Sequence, residues 1–152
     1  MAWKIEDQLC FLLYANSRHV IKLYKKLLDP IGLTYTQYIT MIALWEKDHQ
    51  TVSELGDKLS LDSGTLTPLL KKLETDQRIK RTRDPEDERR VWIDLTTAGK
   101  ELSETAKHIP FELYQCVDLP ESEAKILFSI LSKLHTSIKP ECSIDNKEQS
   151  HE

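Results

Sequence analysis

The sequence predicts a mainly α-helical fold with one small β-hairpin, and three observations support this prediction. Apolar side chains recur three or four positions apart along most of the chain, which is the spacing of one face of an α-helix. Between Ile79 and Leu95 the spacing changes to two, and the charged segment 84–88 interrupts it as a hairpin turn would. The composition, with 39% apolar and 30% charged residues, is typical of a globular protein and excludes a disordered or collagen-like chain.

The chain of 152 residues is long enough for one domain with its own core. We expect this domain to occupy residues 1–139. Residues 140–152 carry four acidic side chains against Lys147 and show no hydrophobic period, so we expect a disordered acidic tail there. The longest apolar stretch, Leu9 to Ala15, is too short to cross a bilayer, and no basic segment leads into it as in a signal peptide. The sequence therefore predicts a cytoplasmic protein.

The first helix is predicted over residues 7–28, where Pro30 and Gly32 follow and are expected to end it. It carries two apolar stripes at helical spacing. A helix that is apolar around so much of its circumference must be covered on more than one side. The stripes consist of Leu9, Leu12, Val20, Leu23 and Leu27 on one side, and Cys10, Leu13, Tyr14, Ile21, Tyr24 and Leu28 on the other.

Three further helices are predicted before the hairpin. The first runs from a threonine cap, at Thr34 or Thr36, to about Lys47. The other two, at 52–59 and 66–73, are separated by a tight turn and read as helix, turn, helix. In the last of them a proline at position 68 lacks the N–H that a regular helix interior needs, so we expect a late start or a distorted first turn.

After the hairpin, Thr96 is predicted to open a helical run through Lys107 towards Cys116, with a bend near Pro110. The last helix is predicted to begin between residues 120 and 123. Its apolar face consists of Ala124, Leu127, Leu131, Leu134 and Ile138.

A helix-turn-helix followed by a hairpin is the arrangement of a winged helix, which predicts binding to double-stranded DNA. The second helix of the pair can enter the major groove, and the hairpin can reach the adjacent minor groove. The alternative is that the polar residues of this helix only solvate its outer face. Its candidate contacts to base edges and phosphates are Ser63, Thr65, Thr67, Lys71 and Lys72.

The distribution of charge favours a local DNA-binding surface. The whole chain has a formal charge of −4, which argues against attraction of the entire molecule to nucleic acid. Residues 71–83, however, contain six basic against two acidic side chains. Arg81 and Arg83 of this segment are expected to hold phosphates, although such arginines can also simply decorate a surface hairpin.

Three segments resemble the MarR family of dimeric winged-helix repressors, and more closely its organic-hydroperoxide-sensing OhrR branch. The resemblance covers residues 5 to about 138. It implies a homodimer held by helices at 7–28 and 97–139, around a winged helix-turn-helix at about 34–96. The segments are Leu61-Asp62-Ser63-Gly64-Thr65-Leu66-Thr67-Pro68-Leu69-Leu70-Lys71-Lys72-Leu73-Glu74, the wing Asp87-Glu88-Arg89 leading to Asp94-Leu95-Thr96, and the opening Gln8-Leu9-Cys10-Phe11-Leu12-Leu13-Tyr14.

The resemblance implies that Cys10 is the redox sensor. A physical reason points the same way, because a cap at Glu6 or Asp7 would place Cys10 in the first turn, where free N–H groups and the helix dipole favour a thiolate. The alternative is that Cys10 is a small buried apolar residue and that the nearby tyrosines only pack an interface. The tyrosines that the resemblance implies as thiolate-stabilising across the dimer interface are Tyr24 and Tyr35, with Tyr14 close by.

Cys116 falls where some members of this branch carry a second cysteine, so the resemblance implies a resolving thiol. An organic hydroperoxide would oxidise Cys10, and Cys116 of the other subunit would then form an intersubunit disulfide with it. The alternative is a plain buried thiol. Cys142 is assigned no role.

The resemblance also implies that Arg89 enters the minor groove at the wing tip and that Asp87 positions it. No cysteine or histidine pair has zinc-ligand spacing and no phosphate-binding glycine loop is present, so neither metal nor cofactor is expected. Two other functions stay open. One is a MarR-type repressor that is released by a small aromatic ligand. The other is a thiol peroxidase that would use Cys10 as its catalytic thiol, although we expect that the protein is not an enzyme.

Overall fold

A computed structural model describes residues 4–138, which form seven α-helices, two short 3-10 turns and a three-stranded antiparallel sheet. The predicted boundary at residue 139, the acidic tail and Cys142 lie outside the described residues. The chain divides into two compact units, with the boundary between Cys116 and Val117, and each unit is described by itself. The helices are α1 (Leu9–Leu28), α2 (Tyr35–Glu46), α3 (Val52–Leu59), α4 (Ser63–Thr75), α5 (Thr97–Ala106), α6 (Ile109–Gln115) and α7 (Glu121–Ser137), and the strands are β1 (Gln50–Thr51), β2 (Ile79–Arg83) and β3 (Val91–Leu95).

Helix α1 begins at Leu9, two residues later than predicted. A 3-10 turn precedes it, and the cap is Gln8, whose backbone is extended and whose side chain makes no capping hydrogen bond. The expected cap at Glu6 or Asp7 is therefore wrong, because both residues belong to the 3-10 turn. The end of the helix is as predicted, since a second 3-10 turn follows and Gly32 there adopts a left-handed φ of 69°.

Capping side chains fix the starts of the helices in the helix-turn-helix region. Thr34 caps α2 in a reciprocal capping box with Gln37, and Thr51 caps α3 in the same way with Glu54. Asp62 caps α4 by accepting a hydrogen bond of 2.9 Å from the N–H of Thr65. Each cap satisfies N–H groups that the first turn of a helix leaves free.

Pro68 lies inside α4 without delaying its start, so the expected late start is wrong. The helix begins at Ser63, where the Asp62 cap fixes its first turn. The leucines that face inward from α4 are buried, and their packing offsets the one backbone hydrogen bond that proline cannot donate. These leucines are Leu66, Leu69, Leu70 and Leu73.

The core of the first unit holds the helix-turn-helix pair against α2 and the sheet. Leu44 of α2, Leu55 of α3, Leu70 of α4 and Ile93 of β3 are all fully buried. Burial of each such side chain stabilises the fold by roughly 1.5–3 kcal/mol. The shared core therefore fixes how α4 is presented at the surface.

The predicted hairpin forms the larger part of the sheet. In β2 and β3, Ile79 pairs with Leu95, and Arg83 pairs with Val91 at the far end. β1 adds a third strand on the other edge of β3 and was not predicted, since two residues are too short to show an alternation.

The predicted helical run after Thr96 is divided into α5 and α6. The break falls at Lys107 and His108, and Pro110 takes the second position of α6, where a proline is tolerated. Cys116 caps the C-terminal end of α6. The bend expected near Pro110 is thus present as a break between two helices.

Several helices leave large apolar side chains exposed. In α1 only Leu28 is buried, and in α7 no residue is buried. The two apolar stripes of α1 are therefore not both covered within the first unit. Across residues 4–138, no helix combines the length and the apolar character that crossing a membrane would require. The exposed apolar residues include Leu9, Leu12, Leu13, Tyr14 and Ile21 of α1, Phe111 and Tyr114 of α6, and Ile126, Leu127, Phe128, Ile130 and Leu131 of α7.

Candidate nucleic-acid interface and sensor thiols

The first turn of α4 presents an exposed polar end. Ser63 and Thr65 are exposed, whereas Thr67 is half-buried. The hydroxyl of Thr65 donates to Asp62 at 2.9 Å, and together with the backbone N–H of Thr65 it lowers the pKa of that carboxyl. Thr65 can therefore offer DNA an acceptor oxygen, while its hydroxyl proton is engaged in the cap. Ser63 is left as the freer donor of this turn.

The two lysines of α4 differ in their surroundings. Lys72 forms an ion pair with Asp76 one turn further on, with 2.8 Å between Nζ and Oδ1. Lys71 is exposed and has no ion-pair partner within residues 4–138. Lys71 is therefore the freer of the two to neutralise a phosphate.

Arg81 connects the wing, which is the hairpin of β2 and β3 with its loop, to α4. Its side chain points to the same face of β2 as the buried Ile79, and its Nη1 lies 3.7 Å from Oε2 of Glu74. Glu74 also accepts the backbone N–H of Arg81 at 2.9 Å. Sequence reasoning missed Glu74, because a single glutamate on a helix looks like a solvated residue. The guanidinium of Arg81 is thus partly neutralised, which leaves Arg83 as the freer of the two candidates for holding a phosphate.

An open groove of about 440 Å³ separates α4 from the wing. It brings together three of the predicted DNA contacts, Lys71, Arg81 and Arg83. Glu74, Glu88 and Val91 complete its lining. The groove thus carries three basic and two acidic side chains, so carboxylates partly cancel the positive charge of the three candidate contacts.

Arg89 at the wing tip projects into solvent, with 92% of its side chain exposed. Asp87 Oδ1 accepts hydrogen bonds from the Arg89 backbone N–H at 3.1 Å and from Nε at 3.2 Å. The contact expected between Asp87 and Arg89 is present. A tethered, exposed guanidinium of this kind has the reach that insertion into a minor groove requires.

Cys10 is exposed and is the second residue of α1. Because Gln8 makes no side-chain cap, the first-turn N–H groups around this residue lack a side-chain acceptor. The predicted location of the thiol in the first turn of α1 is thus present. In the single chain, Cys10 is not the buried apolar residue of the alternative interpretation.

The tyrosines predicted to assist Cys10 lie in two places. Tyr14 is one turn from Cys10, and its hydroxyl accepts a hydrogen bond of 2.9 Å from Arg18. Tyr24 is 14 positions beyond Cys10, about 21 Å along the helix at the usual rise per residue. Its ring packs 4.9 Å from that of Tyr35, measured between centroids. Tyr24 and Tyr35 therefore do not reach Cys10 of their own chain.

Burial favours the protonated form of the Tyr24 hydroxyl. It raises the pKa of Tyr24, with a smaller contribution from Tyr35. It also raises the pKa of the neighbouring Tyr38 to about 12. Protonated tyrosines are hydrogen-bond donors, which is the state that stabilisation of a thiolate requires.

Cys116 is exposed at the end of α6, and its Sγ lies 3.5 Å from the carbonyl oxygen of Glu112. In the single chain this thiol is therefore accessible to solvent. No group of three or more histidine, cysteine, aspartate or glutamate side chains within residues 4–138 is arranged to hold a metal ion.

The sequence pattern of the family described as "Transcriptional regulator SarA/Rot" matches residues 22–106, more than half of the chain. The chain belongs to this family. The matched segment contains α2 to α5 and the whole wing, and it excludes Cys10 and Cys116. The protein is therefore a transcriptional regulator with a winged-helix fold.

Relatives extend the similarity over most of the chain. The organic hydroperoxide resistance transcriptional regulator of Bacillus subtilis (strain 168) is 46% identical over 136 residues, which is 90% of each chain. Among solved structures, reduced AbfR bound to DNA, a Staphylococcus epidermidis protein, is 37% identical with a TM-score of 0.72, covering 87% of this chain and 91% of that one. Disulfide-formed AbfR is 34% identical with a TM-score of 0.62, covering 87% and 88%. The resemblance to the hydroperoxide-sensing branch is confirmed.

Proposed function

We propose that this regulator is a cytoplasmic repressor that binds palindromic operator DNA as a homodimer and is released when an organic hydroperoxide oxidises Cys10. The observation that carries the proposal is the exposed Cys10 in the uncapped first turn of α1. It occurs in a chain 46% identical to an organic hydroperoxide resistance regulator. Release is proposed to proceed through an intersubunit disulfide with Cys116.

The exposed apolar helices support a homodimer. Apolar side chains of α1 and α6 lie in solvent in the first unit, and those of α7 do so in the second. Contiguous apolar surfaces of this kind mark interfaces between proteins. A second copy that covers α1 would also account for the two apolar stripes in its sequence. Operators of dimeric winged-helix proteins mirror the two-fold symmetry, which is why the proposed operator is palindromic.

The separation between Cys10 and the buried tyrosines also supports a dimer. Tyr24 lies about 21 Å from Cys10 along α1, and Tyr35 packs against Tyr24, so neither can donate to Cys10 of its own chain. They can donate to a thiolate only if the start of another subunit's α1 reaches them. Tyr14 is the tyrosine that a chain can offer to its own Cys10.

The chemistry of the proposed switch balances without a cofactor. The Cys10 thiolate attacks the peroxide O–O bond, which yields a sulfenic acid and releases an alcohol. The Cys116 thiolate of the other subunit then attacks the Cys10 sulfur, and the hydroxyl leaves as water after it takes a proton. The disulfide requires Cα atoms within about 7 Å, so its closure can displace the helices that carry the cysteines.

A mobility-shift assay tests the proposed function. The reduced protein should retard palindromic DNA from upstream of its own gene, and cumene hydroperoxide should abolish the shift. Dithiothreitol should then restore the shift, because it reduces a disulfide. Loss of binding caused by denaturation would not be reversed by dithiothreitol. A shift that survives full oxidation of Cys10, verified by mass spectrometry, would contradict the redox proposal.

The disulfide itself is tested on a non-reducing gel. Wild-type protein treated with cumene hydroperoxide should run as a covalent dimer, and Cys116→Ser should run as a monomer because its Cys10 sulfenic acid has no resolving thiol. Cys142→Ser is the matched control and should still form the dimer. A dimer band in Cys116→Ser would remove Cys116 from the mechanism.

A further inference from the structure

Asp84 organises the loop between β2 and β3, although it has itself been assigned no role in DNA binding. Its Oδ1 accepts the backbone N–H of Glu86 at 2.9 Å and that of Asp87 at 3.3 Å. Its Oδ2 accepts the indole N–H of Trp92 at 2.9 Å. Only 13% of the Asp84 side chain is exposed, so this carboxylate faces the loop and not the solvent.

The backbone of Asp84 closes the same loop. Its N–H donates to the carbonyl oxygen of Arg90 at 2.9 Å, and Nη1 of Arg90 lies 3.8 Å from Oδ2 of Asp84. Asp84 and Arg90, which flank residues 85–89, are thereby held together. The hydrogen bond from Trp92 is the largest cause that lowers the pKa of the Asp84 carboxyl, which favours the charged acceptor form.

Trp92 is itself fixed from the other side. Its ring stacks on that of His49, with centroids 4.3 Å apart and planes inclined by 4°. Nδ1 of His49 lies 2.7 Å from Oδ1 of Asp94 on β3. The Asp84 carboxylate, which orders the loop, is therefore anchored to the sheet through its hydrogen bond with Trp92 of β3.

We propose that Asp84 is a positioning residue for DNA binding, which holds Asp87, and through it Arg89, in the orientation that the minor groove requires. The inference rests on the proposed role of Arg89. Arg89 is tethered by Asp87. Asp87 in turn donates its backbone N–H to Asp84. An ordered loop lowers the entropy lost when Arg89 binds, so Asp84 strengthens binding without touching DNA.

The sign of the effect separates this role from simple electrostatics. Removal of a negative charge beside DNA should strengthen binding, because phosphates repel carboxylates. Asp84→Ala should instead weaken operator binding by about tenfold, because the loop and Arg89 lose their order. Glu86→Ala removes the same charge from the same loop but keeps the backbone N–H, and should bind as tightly as wild type or slightly more tightly. Unchanged or tighter binding by Asp84→Ala would overturn the proposal.

A double-mutant cycle with Arg89→Ala tests whether Asp84 acts through Arg89. In the Arg89→Ala background, Asp84→Ala should change operator affinity by less than about twofold, since the side chain it positions is absent. An equal tenfold loss in both backgrounds would contradict the role of Asp84 while leaving that of Arg89 intact. Wild-type affinity in Arg89→Ala alone would instead contradict the proposed role of Arg89 itself.

If a thermal melt shows that Asp84→Ala does not fold, Trp92→Phe provides a second test of the same proposal. Phenylalanine retains an aromatic ring beside His49 and removes only the N–H that Asp84 accepts. It should weaken operator binding by about threefold in the wild-type background and have no effect with Arg89→Ala. A loss of the same size in both backgrounds would count against positioning through Arg89.

Discussion

Cys10→Ser should bind operator DNA as the reduced wild type does and should no longer respond to organic hydroperoxide. A serine hydroxyl at the second position of α1 fits in place of the thiol but cannot be oxidised to a sulfenic acid. Its operator affinity should stay within about twofold of wild type, as for most exposed substitutions. Oxidised wild type, in contrast, should lose about 100-fold, because losing simultaneous engagement of both half-sites removes avidity of that order.

Fluorescence anisotropy of labelled operator, titrated with protein before and after cumene hydroperoxide, measures both affinities. Cys142→Ser is the matched control and should respond like wild type. If Cys10→Ser still releases DNA, the trigger is not this thiol, and a repressor released by a small aromatic ligand becomes the better explanation. A thiol peroxidase would be recognised differently, since wild type would consume many equivalents of peroxide per molecule in the presence of a reductant.

The helices and the hairpin were predictable because their apolar spacing is local. The period of three to four residues revealed α1 to α4 and α7, and the change to two between Ile79 and Leu95 revealed β2 and β3. Features without a period were missed. β1 is two residues long and exists only because Gln50 pairs with Ile93 of β3, far away in the sequence. The start of α1 was misplaced because the acidic residues before it favour a cap but fold into a 3-10 turn.

The site divides in the same way. Arg89 and Asp87 were found because they are two positions apart within a recognisable wing segment, and their side chains do meet. Glu74 was missed because it contacts Arg81 across the connection from α4 to β2. Asp84 was missed because it depends on the indole of Trp92 from the opposite strand. Residues that act through tertiary neighbours leave no pattern in the sequence.

Arg89→Ala should weaken operator binding by about 10- to 100-fold, the range for loss of one good contact to bases. The expectation follows from geometry, because the guanidinium is 92% exposed yet aimed by two hydrogen bonds to Asp87. An arginine in a narrow minor groove also reads shape, since A·T-rich steps concentrate negative potential there. The variant should therefore lose discrimination between operators with A·T and with G·C pairs under the wing.

Arg90→Ala separates this role from charge alone. It removes an equal charge from the adjacent position, but the Arg90 side chain is only 54% exposed and its Nη1 lies 3.8 Å from Oδ2 of Asp84. It should weaken binding by about threefold and keep the preference for A·T pairs, because a general phosphate attraction does not depend on sequence. Competition titrations with the two operators give the ratio of affinities for each variant. An equal loss of affinity and of preference in both variants would mean that the wing contributes charge alone, and Arg89 would then have no special part in recognition.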